Sequence, residues 1–135
     1  MKIVTVIARI LLGLILVVFG LNGFLNFIPQ GAPPTGLAGQ FMSALVGSHY
    51  FWVVAAVHLA SGALLLANRF VPLALTLFGP VLVNIISFHL FLYPTGIAPA
   101  VVVTVLWLIV FYANRQHFSG LFSRGDGALE ARTQP

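Results

Sequence analysis

NRFVPLALTLFGPVLVNIISFHLFLYPTGIAP, Asn68 to Pro99, decides the fold. Two turn-forming segments, Asn68–Pro72 and Tyr93–Pro99, bracket an apolar run from Phe70 to Leu92 without a Lys, Arg, Asp or Glu between them. A helix crosses a bilayer in about 17–25 such residues. Lipid offers backbone groups no partner, so a run of this kind is helical. It does not alternate polar with apolar, as a barrel strand would. Short links make the helices on either side antiparallel neighbours. Pro72 and Pro99 fall in the first turns of their helices, and Pro80, inside the run, predicts a kink.

Outward from this hairpin the pattern repeats. The apolar runs predict four spans, at about 3–28, 51–67, 70–92 and 97–113. The expected fold is all-α: an integral membrane antiparallel four-helix bundle over residues 1–122, with a polar mobile cytoplasmic tail at 123–135. The one long link, 29–50, opens with the Pro/Gly loop PQGAPPTGLAGQ and resumes an apolar pattern at FMSALVGSHYFW. It predicts a short interfacial helix before the second span, with Tyr50 and Trp52 at headgroup level. The first run follows Lys2 but is too long for a signal-peptide core, and no small-residue cleavage site follows it.

Composition agrees. The chain is 60% hydrophobic and 6% charged, with a mean hydropathy of +1.08. A soluble domain carries about 25% charged residues. Cysteine is absent, which removes disulfides, thiolate nucleophiles and thiolate metal sites. The only acids are Asp126 and Glu130, so the apolar body lacks carboxylates for paired acid/base chemistry, proton relays or metal ligation. The net charge of +4 comes from scattered cations. With no basic face interleaved with aromatics, nucleic acid is not a partner. If the spans alternate, Lys2, Arg9, Arg69, Arg115, Arg124 and Arg132 all face one side, and the positive-inside rule places both termini in the cytoplasm. Arg9, about two turns into the first span, is read as snorkelling to that face; with Arg69 and Arg115 it is a candidate contact for anionic lipid or a partner's acid.

The polar residues of the apolar body fall in two expected levels. At about 1.5 Å of rise per residue, Asn84 lies about 18 Å up a core of about 30 Å, with His58, Asn22 and Thr104 near it and Ser61 one turn from His58. Asn26 and His89 form a shallower outer level. Two readings stand side by side. In the first these groups are glue between helices, helped by the small residues Gly13, Gly20, Gly23, Ala56, Ala60 and Gly62. In the second His58 and Asn84, with Asn22, line a pocket that donates hydrogen bonds to the carbonyls of an apolar ligand such as a quinone. Haem between His58 and His89 is disfavoured, because their expected depths differ by about 6 Å. No catalytic constellation and no metal cluster is expected.

The segments ARILLGLILVVFGLNGFLNF, LASGALLLANRFVPLAL, PVLVNIISFHLFL and FYANRQHFSGLF, spanning Ala8 to Phe122, resemble the DoxX-like family of small bacterial membrane proteins. The matching positions are Arg9, Gly13, Gly20, Asn22, Gly62 and Arg69. The resemblance implies a four-helix bundle in the bacterial inner membrane, serving as an accessory or anchoring subunit of a quinone-linked redox assembly with membrane-protein partners. It departs at His58, where many members carry a glutamate, so any carboxylate chemistry of the family does not carry over. A stand-alone binder of a small apolar ligand and a purely structural assembly protein are the alternative functions.

Overall fold

The computed structural model describes residues 1–123; the expected tail, with Arg124, Asp126, Glu130 and Arg132, lies outside them. Within that range the chain forms five α-helices and no strand. They are α1 (Lys2–Leu25), α2 (Gly36–Gly47), α3 (Phe51–Leu66), α4 (Val71–Phe91) and α5 (Ile97–Asn114). Single 3-10 segments cover Pro94–Gly96 and Arg115–Phe122. Three stretches are long and apolar enough to cross a membrane: α1, α4, and Pro94–Phe122 around α5. The fourth expected span is more conditional. With 16 residues, α3 reaches only about 24 Å. It qualifies as a span together with α2, from which it turns by 78° through Ser48–Tyr50. His49 makes that turn in the left-handed region, at φ 61°. The short helix expected before the second span is therefore present as α2.

The helix ends follow the local chemistry. The first helix stops at Leu25, three residues short of the expected Ile28, because Asn26 turns left-handed at φ 49°. Asparagine tolerates that conformation and commonly closes helices there. Asn26 is thus the exposed cap that ends the first helix. At the end of α3 the Asn68 N–H reaches the Leu65 carbonyl at 3.2 Å and the Arg69 N–H the Leu64 carbonyl at 3.1 Å. With Asn68 left-handed at φ 52°, this is a Schellman closure. Phe70 is left-handed as well, at φ 52°, and Pro72 opens the first turn of α4. That helix runs unbroken through Pro80.

Four helices pack in a ring of contacts: α1 on α3, α3 on α4, α4 on α5, and α5 back on α1. The α1–α3 seam is the closest. A Cβ at Gly62 would stand 2.9 Å from the Gly13 carbonyl oxygen and 2.9 Å from the Val17 nitrogen. A Cβ at Gly20 would stand 2.9 Å from the Leu59 nitrogen, and one at Gly23 would collide with the Ala55 methyl. Small residues thus bring the two backbones together, as membrane helices without a hydrophobic drive toward each other require. Ala8, Leu12 and Leu16, four apart on α1, meet Leu65 of α3, Val71, Ala74, Leu75, Phe78 and Leu82 of α4, and Val110 of α5 in the core. Phe118, beyond α5, also enters that core and lies 4.8 Å from the Phe111 ring, centroid to centroid. The outward faces are apolar: Ile7, Leu14 and Val18 on α1, Leu73 and Val83 on α4, and Val101 and Leu108 on α5 are all exposed. A patch of that extent belongs against lipid or protein rather than water.

Candidate functional site

The polar groups of the apolar body mostly turn back on their own helices. The Asn84 amide donates to the Pro80 carbonyl at 2.9 Å, Ser87 to Val83 at 2.8 Å, and Thr104 to Ala100 at 2.7 Å. Each closes an i−4 side-chain bond, which satisfies the Ser87 and Thr104 hydroxyl donors and one N–H of Asn84 without a neighbour. Asn84 is exposed on α4 and does not face His58. Asn22 is buried on α1, and its Oδ1 accepts the Ile28 N–H at 2.8 Å, which ties down the chain as it leaves the helix. The expected layer drawn from all four spans therefore does not assemble around a shared centre.

His58 and Ser61 do lie together on the inner side of α3, both buried. The His58 Nδ1 lies 2.8 Å from the Val54 carbonyl, and the ring meets Phe78 edge-on at 5.1 Å. A carbonyl only accepts, so Nδ1 carries the proton; in a ring with one proton, Nε2 is then an acceptor. In that tautomer Nε2 is the atom the ring would offer to a ligand, as an acceptor. The Ser61 Oγ is fully enclosed and has no hydrogen-bond partner among the described residues, so Ser61 and His58 do not form the hydrogen-bonded pair that an activated serine needs. His89 sits in a different setting. Its Nδ1 lies 3.1 Å from the Tyr93 carbonyl, and its ring is flanked by Phe88 at 5.3 Å and Tyr93 at 6.3 Å. Among the described residues no three His, Cys, Asp or Glu side chains converge as a metal-binding group would.

Two side chains do join helices, and sequence reasoning missed both. The Arg9 guanidinium, expected to snorkel outward, turns inward and donates to the Leu65 carbonyl at the end of α3. A cation there meets the negative end of the helix dipole, and the carbonyl it reaches also accepts the Asn68 N–H. The Trp107 indole N–H reaches the Leu75 carbonyl of α4 at 3.3 Å, and its ring stacks on Phe111 at 4.9 Å. The other two cations of the expected set stay exposed: Arg69 in the α3–α4 turn, and Arg115 with its guanidinium 4.2 Å over the Tyr112 ring. The residues that hold this molecule in one arrangement are thus the glycine seam, Arg9 and Trp107, more than the Asn/His/Ser/Thr set.

No protein-family model, curated protein or solved structure matches the chain, and the DoxX-like resemblance rests on the quoted motifs alone.

Proposed function

We propose that the chain is a non-catalytic integral membrane subunit, an antiparallel four-span bundle that anchors or supports a membrane-associated redox assembly in the bacterial inner membrane. One observation carries the reading: Asn84, Ser87 and Thr104 bond back to their own helices, while the outward faces remain apolar and open to lipid and to a partner's helices. Antiparallel packing is supported by the contacts that place the start of α1, at Arg9, beside the end of α3 and the end of α1, at Gly23, beside Phe51. The redox association and the quinone link come from the DoxX-like resemblance.

The topology is tested first. Lys2, Arg9, Arg69 and Arg115 belong to the side that holds both termini, which the positive-inside rule makes cytoplasmic. A reporter fused after Pro135 is expected to be active only as a cytoplasmic enzyme; activity only on the far side reverses the orientation. The function is tested by native mass spectrometry of the chain extracted gently from its host's membranes. A stoichiometric protein partner with redox cofactors is the expected result. A bare chain, recovered under conditions that preserve other membrane complexes, refutes the subunit reading.

A further inference from the structure

An open groove of about 560 Å³ runs between the start of α1 and the end of α5. Val4, Val105, Leu108, Ile109 and Tyr112 line it, and Arg115 stands at its mouth. The hydroxyl of Thr5, also in the lining, is already spent on the Met1 carbonyl at 3.1 Å. The groove therefore offers an apolar floor with Arg115 in its lining, alongside Met1.

Its length is informative. From Val105 to Arg115 a helix rises about 15 Å, half of a hydrocarbon core of about 30 Å. That is the depth of one leaflet, measured from the end where the cations gather. The Arg115 guanidinium donates to the Tyr112 carbonyl at 2.8 Å and lies over the Tyr112 ring, which holds it at the mouth. A guanidinium has five N–H donors, so most of its fork remains for an incoming anion. The sequence places no Asp or Glu before Asp126, so the described residues contain no internal counter-ion.

We propose that this groove is a binding site for one anionic phospholipid, with an acyl chain along Val105–Tyr112 and the phosphate on Arg115. Charge complementarity and the one-leaflet length select this occupant. The site rests on the chain being embedded in a membrane and is independent of any redox partner. It also gives Arg115 a different task from Arg9, whose guanidinium is committed to α3.

The test uses the full chain in nanodiscs of equal phosphatidylglycerol and phosphatidylcholine with identical acyl chains, released into a native mass spectrometer. The expected result is one retained phospholipid per chain, with phosphatidylglycerol favoured about fivefold, the effect of one cation near an anionic surface. Arg115→Gln is expected to lower that ratio without changing the helical circular dichroism. Val105→Trp, which fills the groove, is expected to lower retention of both lipids alike. A chain that enters the nanodiscs and retains no lipid, retains lipid with its selectivity unchanged by Arg115→Gln, or appears as a lipid-free dimer overturns the site. A chain that does not enter nanodiscs refutes the membrane reading itself.

Discussion

Gly62→Ala destabilises the bundle by about 1–2 kcal/mol, while Gly79→Ala changes it by less than about 1 kcal/mol. Alanine gains about 1 kcal/mol of helix propensity over glycine at Gly62, and less at Gly79, where the new methyl precedes Pro80 and crowds its ring. The difference lies in what the new methyl meets. At Gly62 it stands 2.9 Å from the Gly13 oxygen and 2.9 Å from the Val17 nitrogen, which are backbone atoms of a neighbouring helix and cannot rotate away. At Gly79 the nearest side chain beyond its chain neighbours is the edge of the Trp107 ring, at a comfortable 3.6 Å. Overpacking typically costs about 1–3 kcal/mol, and moving α1 bodily from α3 lies toward the upper part of that range. Gly62→Leu extends the trend to a full separation of the two helices. Equilibrium unfolding in mixed detergent micelles measures all three variants. Equal effects at Gly62 and Gly79 would mean that the α1–α3 seam is not as close as described.

Arg9→Met lowers stability by about 1.5 kcal/mol, the lower end for a hydrogen bond made by a charged group. Two terms oppose each other here. Methionine removes the bond to the Leu65 carbonyl and the charge facing the end of α3. It also removes the cost of holding a cation near hydrocarbon, which is modest because Arg9 lies within reach of the span's end. The carbonyl keeps its second donor, the Asn68 N–H at 3.2 Å, so it is not left bare. Arg9→Lys, which retains the charge without the planar fork, falls between wild type and Arg9→Met. The same unfolding measurement decides the matter. A variant as stable as wild type would return Arg9 to the snorkelling role expected from sequence.

The helices were legible from runs of apolar residues and from proline. The ends came within a few residues, and the largest error, at Asn26, carried its own signal in the left-handed preference of asparagine. The α1–α3 seam was foreshadowed by Gly13, Gly20, Gly23 and Gly62, although spacing alone did not reveal how close the backbones come. Side-chain direction was a different matter. A helix that is apolar all round has no polar stripe to mark its outer face. Rise per residue gave Asn84 a depth but no azimuth, so its placement opposite His58 had no physical support, and it points outward. Arg9 was ambiguous for a related reason: a lone cation two turns inside a span reads identically whether it reaches the interface or the carbonyl end of a neighbour. Phe118 was hidden within RQHFSG, a segment polar enough to resemble the beginning of a tail, yet its ring closes the core under Phe111.

The glycine seam also determines how freely this gene can drift. Every replacement of a glycine adds at least one carbon; at Gly20, Gly23 and Gly62 that carbon meets backbone or a Cβ that cannot rotate away, and at Gly13 it meets the Leu66 side chain and, at 3.2 Å, the Gly62 oxygen. These positions have no neutral neighbours in sequence space. The outward stripes of α1, α4 and α5 need only be apolar, and there leucine, valine, isoleucine and phenylalanine are interchangeable currency to evolution. Descendants of this chain would therefore diverge quickly over most of their length while preserving four small residues in register. Those residues, rather than overall identity, are the mark by which its distant kin would be recognised.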